Sequence, residues 1–129
     1  MIPVLQTRFG SPHGNCLGAA VSSITGIPIG EFDECEGKRW FEIFYGVLYR
    51  HGYEFHGTLD KLEDILSYSE GVDGFYIVGG GSPRSIPAGH AVVFKNGEMV
   101  HDPHPDGTGI VSIDYAYMIE KIAELPKSI

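Results

Sequence analysis

Positive charge is scarce in this chain: nine Lys and Arg stand against seventeen Asp and Glu, a formal net charge of −8 over 129 residues. Gripping a phosphate backbone relies on clustered Lys and Arg, and Lys38-Arg39 is the only adjacent basic pair. Nucleic acid is therefore not expected as a partner, and an acidic substrate is disfavoured. Long apolar runs are also missing. No stretch approaches the roughly 18 residues that a bilayer-crossing helix requires, so no membrane partner is expected. The opening residues Met1 to Gln6 lack the basic region and apolar segment of a secretory signal, which points to the reducing cytoplasm. The only two cysteines, Cys16 and Cys35, are then expected as thiols. What remains, 43% hydrophobic residues without an internal repeat or low-complexity tract, reads as one domain over 1–129 with a single core.

The first half has helical texture. Asn15 can cap a helix over 15–25 in which Leu17, Ala20, Val21 and Ile24 recur at helical spacing, and Thr25-Gly26-Ile27-Pro28 ends it. Its small residues Gly18, Ala19, Ala20, Ser22 and Ser23 let neighbours approach closely, as in a buried central helix. Trp40, Phe41, Phe44, Val47 and Leu48 mark a second helix over about 37–50, stopped at His51-Gly52, and its aromatic stripe is assigned to packing. Leu59, Leu62, Ile65 and Leu66 mark a third over about 58–68.

From residue 74 onward the texture is that of strands: Phe75 to Val78, Ala91 to Phe94 and Glu98 to His101. Asn96-Gly97 between the last two signals a type I′ hairpin. Ile110 to Ile113 reads as a further strand and Tyr115 to Leu125 as a closing helix, although Asp114-Tyr115 could extend the strand. The run from Gly79 to Pro87 reads as a loop bordering a cleft. The fold class expected is α+β, a nucleophile helix packed on an antiparallel sheet of about four strands.

The chemistry lies in three distant residues. Cys16 opens a helix, where the positive helix end and a nearby imidazole could favour its thiolate. His90 starts a strand and could act as base, and Asp102 at the end of the partner strand could hold the second ring nitrogen. A strict two-residue turn pairs Lys95 with Glu98 and sends His90 and Asp102 to opposite faces. An irregularity between 94 and 99 is therefore required if the two are to meet.

Gln6, then Asn15-Cys16 opening a helix, then His90-Ala91-Val92-Val93, then Val100-His101-Asp102-Pro103 form an order that resembles papain-like cysteine peptidases, most nearly the C39-like branch. The resemblance spans nearly the whole chain. It implies Cys16 as nucleophile, His90 as general base and acid, and Asp102 as orienter, with Gln6 and the Cys16 backbone N–H as oxyanion donors. The glutamine of that family stands closer to its cysteine, so Asn15 is a second candidate donor. No cofactor is implied, and a peptide or protein is the expected substrate, cleaved or transferred at an amide, peptide or isopeptide bond.

Two further readings come from the residues alone. His101, Asp102, His104 and Asp106 are all acceptable metal ligands, so a metal-binding hydrolase using His101, Asp102 and His104, completed by His13 or His90, is one alternative. Otherwise His104 sits at the cleft rim and touches substrate. A non-catalytic binding module that keeps the same fold, with an inert Cys16, is the other. Cys35, flanked by Asp33, Glu34 and Glu36, lies in a negative field that raises a thiol pKa and makes it a poor nucleophile.

Overall fold

A computed structural model describes residues 1–9, 15–33, 40–56, 71–84 and 89–122. The element order is α1 (Cys16–Thr25), α2 (Trp40–Arg50), β1 (Tyr53–His56), β2 (Phe75–Gly81), β3 (Gly89–Lys95), β4 (Glu98–His101) and β5 (Tyr115–Lys121). The strands form one antiparallel sheet in the order β1-β5-β2-β3-β4, so the class is α+β. The expected third helix over 58–68 lies outside the described residues, as does Cys35.

Both helices stop where a left-handed glycine takes over. Gly26 (φ 79°) donates its N–H to Ser22 O, and Gly52 (φ 84°) donates to Tyr49 O. Small side chains make α1 the central helix: every residue from Gly18 to Ile24 is buried. A Cβ on Gly18 would come within 3.2 Å of Phe32 Cβ. Odd-numbered sheet residues Ile77, Ala91, Val93 and Ile119 face α1 and α2, where they meet Val21, Phe44 and Leu48. Even-numbered Tyr76, Val78, Val92 and Phe94 form a second cluster on the other face, covered by Ile110. Burial of each large side chain such as Phe44, Leu48 or Phe55 is worth about 1.5–3 kcal/mol. The aromatic stripe of α2 divides: Phe44 enters the core, while Phe41 and Tyr45 flank Phe55 with their rings and stay partly exposed.

The C-terminal segment departs from expectation. Tyr115–Lys121 is a strand, not a helix, and it is inserted between β1 and β2. Tyr117 and Ile119 pack on the helices' face and Ala116 on the other, which is a period of two. The closing helix expected there yields to pairing on both edges. Residues 110–114 form no strand. The short β1, with polar Glu54 and His56 alternating with buried Phe55, was not foreseen, and it raises the strand count to five.

Candidate active site

The β3-β4 hairpin determines which residues meet. Its turn is regular: Asn96 (φ 53°) and Gly97 (φ 79°) occupy the two positions of positive φ, and Lys95 pairs with Glu98. Phe94 pairs with Met99, but Val93 pairs with His101, so Val100 is an extra residue on β4. The required irregularity exists, one position beyond the segment where it was expected. Its effect on parity is the one needed. Asp102 returns to the face of His90, and His90 Nε2 lies 2.6 Å from Asp102 Oδ1.

This pair is buried, with 3% of His90 and 8% of Asp102 accessible. Asp102 Oδ1 also accepts the His104 N–H at 2.9 Å, and Oδ2 accepts the Gly109 N–H at 2.8 Å. Burial alone would raise the Asp102 pKa. The hydrogen bonds from His90, His104 and Gly109 outweigh it and hold the carboxyl below its ordinary 3.8. An ionised Asp102 accepts a hydrogen bond from Nε2–H, which leaves Nδ1 as the basic nitrogen of the ring.

Cys16 is the first residue of α1 and a free, half-buried thiol. It reaches β3 at an open edge. Gly79 O accepts the Asp114 N–H, so the Gly79–Ala91 pair is of the non-hydrogen-bonded kind and the Ala91 N–H turns away from β2. β4 pairs with β3 only as far as Val93, and beyond that point the Ala91 N–H meets the Cys16 sulfur. The thiol therefore lies against the residue next to His90 and within electrostatic reach of Asp102. Among the described residues no hydrogen bond joins Cys16 to His90.

The expected depression of the thiol pKa is reversed. Burial pushes Cys16 above its ordinary 9.0 and the Asp102 charge adds to this, while the N–H groups of Ala91, Leu17 and Cys16 oppose it and are outweighed. At rest Cys16 is a neutral thiol. Iodoacetamide labelling of Cys16, followed by mass spectrometry, should accordingly rise steeply above pH 9 with no plateau in the acidic range. A plateau below neutrality would show a thiolate–imidazolium pair instead.

The two expected oxyanion side chains are otherwise engaged. Asn15 does not cap α1 with its side chain. Its Oδ1 accepts the Thr7 and Arg8 N–H groups and its Nδ2 donates to Thr7 Oγ1, so it braces the N-terminal segment against the start of α1. Gln6 is buried beside the end of β4, its N–H donating to Pro103 O. Its Nε2 donates to Arg8 O at 2.9 Å and its buried Oε1 has no hydrogen-bond partner. The reversed amide would set Oε1 against another carbonyl oxygen, so the observed orientation is the one hydrogen bonding favours. One Nε2 proton and N–H groups of the first turn of α1 are the candidate donors.

His104, expected at the rim of a cleft, is half-buried beside the His90–Asp102 pair. Its ring meets that of His90 edge-on at 6.3 Å and that of exposed Phe9 at 5.2 Å. Arg84 Nη1 reaches Asp106 Oδ1 at 2.8 Å and Thr108 Oγ1 at 2.6 Å, tying the segment after β2 to the segment that carries His104. The metal reading finds no such convergence: His101 Nε2 donates to Val4 O, Asp102 serves His90, and His104 Nδ1 accepts the Asp106 N–H. Among the described residues no three His, Cys, Asp or Glu gather to hold a cation, and His13 lies outside them. Glycines 79–81 belong to β2, not to a loop. Among the described residues a Cβ on Gly89 would meet nothing nearer than Gly80 O at 3.7 Å.

Sequence reasoning missed Tyr115, whose ring covers Gly79. The signal available was a run of glycines continuing a strand, a bare surface that invites an aromatic cover. No family model matches this chain, and no curated protein or solved structure matches it either.

Proposed function

We propose that this protein is a thiol-dependent hydrolase or acyl transferase of papain-like organisation, acting on an amide, peptide or isopeptide bond. The observation that carries the reading is the buried His90–Asp102 hydrogen bond, set beside a half-buried cysteine at a helix start. Asp102 fixes the ring so that Nδ1 is free to accept a proton. Because the thiol rests in its neutral form, the proton leaves sulfur for Nδ1 as sulfur attacks the carbonyl carbon. The tetrahedral oxyanion is met by first-turn N–H groups of α1 and by the free Gln6 Nε2 proton. His90 then protonates the leaving group, giving a thioester on Cys16, and a water or amine activated by His90 releases the acyl group. The raised thiol pKa and the missing thiol–imidazole hydrogen bond favour the second reading, a binding module in which Cys16 is inert.

p-Nitrophenyl acetate separates the two. The native protein should take up an acetyl group on Cys16, found by peptide mass spectrometry; Cys16→Ala should take up none there, and His90→Ala should acylate about 100-fold more slowly. Acylation of Cys16 no faster than that of an unstructured cysteine peptide, and indifferent to His90, would establish the binding module.

A further inference from the structure

Tyr115 pairs with Gly79 across β5 and β2, and its ring lies over that glycine: a Cβ on Gly79 would be 1.9 Å from Tyr115 Cζ and 2.3 Å from its hydroxyl oxygen. The phenol thus spans β2 toward β3. On β3, the residue opposite Gly79 is Ala91, whose N–H meets the Cys16 sulfur. Side chains of directly paired residues stand about 5 Å apart, so hydroxyl, Ala91 and thiol follow one another across a short span on the face where α1 begins. The ring also packs against that of Tyr117, with centroids 4.8 Å apart. Among the described residues the Tyr115 hydroxyl has no hydrogen-bond partner, although the residue is half-buried.

The geometry points to Tyr115 as a catalytic residue whose hydroxyl donates a hydrogen bond to the carbonyl oxygen of a substrate acyl group held at Cys16, and holds the oxyanion as it forms. This inference rests on the thiol acyl-transfer reading above. A phenol suits the role because burial, with Tyr117, Cys16 and Asp114 nearby, raises its pKa well above the ordinary value of 10.0, so it stays a donor throughout the working range. Gly79 is then the residue that admits the phenol to the site.

Tyr115→Phe keeps the ring and removes only the donor. Two reagents distinguish its role, because acylation by p-nitrophenyl acetate passes through an oxyanion and alkylation by iodoacetamide does not. Acylation of Cys16 should fall about 100-fold, in kcat and not in KM, with alkylation unchanged. Tyr117→Phe, assayed in parallel, should leave both rates near native, and thermal melts should show all three proteins folded. Equal acylation by native protein and Tyr115→Phe would overturn the role of Tyr115 alone. An equal fall in both reactions would assign Tyr115 to positioning the thiol and overturn the donor. If the native protein does not acylate at Cys16, the underlying reading fails, and this role fails with it.

Discussion

Asp102→Asn should lower Cys16 acylation by roughly a thousandfold to ten-thousandfold, the loss seen when the orienting acid of a triad becomes an amide. The cause lies in the count of acceptors. Asp102 accepts hydrogen bonds on both oxygens, from His90 and His104 on one and from Gly109 on the other. An asparagine must point an NH2 at one of these donors. Turned toward His90, it would force Nε2 to accept and Nδ1 to carry the proton, which disables the base; turned toward Gly109, it would leave a buried N–H facing another donor, at about 1–3 kcal/mol. The pH dependence of stability should change as well. The folded pKa of Asp102 is depressed, so its contribution is fully present above the unfolded value near 3.8 and is lost as pH falls through the lower folded value. Urea unfolding of the native protein should show this acid limb and the variant a flatter one. An Asp102→Asn protein with native acylation and an unchanged acid limb would remove the carboxylate from the mechanism.

Gly80→Ala should be among the most destabilising substitutions open to this chain. A Cβ there would lie 1.6 Å from Ser112 O and 2.6 Å from its carbonyl carbon, so backbone has to move. The opposing segment has little freedom, since Val111 N–H is bonded to Gly81 O and Ser112 Oγ accepts the Gly81 N–H at 3.0 Å. We expect a loss beyond the usual overpacking range of about 1–3 kcal/mol, measured by urea or thermal unfolding. Gly89→Ala, directly opposite Gly81 in the register and with no described atom nearer than 3.7 Å to the added Cβ, is the control and should stay within about 1 kcal/mol of native. Similar melting temperatures for the two variants would show that Ser112 does not sit against β2.

The sequence was most informative where local chemistry decides structure. Gly26 and Gly52 ended the helices where expected, Asn96-Gly97 formed its two-residue turn, and the small residues of 18–23 foretold a helix buried all round. The need for an extra residue in the hairpin could be worked out by parity alone. Other features depend on partners distant in the chain. Tyr115 to Lys121 carries both a helical and an alternating pattern, and only its reception between β1 and β2 selects the strand. The helix start at Cys16 is visible in sequence, whereas the burial that raises its thiol pKa is not. Nothing in the sequence tells that Thr7 and Arg8 fold back to occupy the Asn15 amide, so its residue type alone suggests a cap. Gly79 and Gly80 looked like loop material until the residues lying on them, Tyr115 and Ser112, were in place.

The bulge at Val100 makes chain length itself a selector in this hairpin. Neighbouring residues of an extended chain look in opposite directions, so shortening the return strand by a single residue would swing the carboxylate away from the imidazole without altering any side chain. Changes in steps of two would preserve the pairing of acid and base. Length variation here is thus filtered by odd or even count, a constraint that comparison of residue types alone would not reveal.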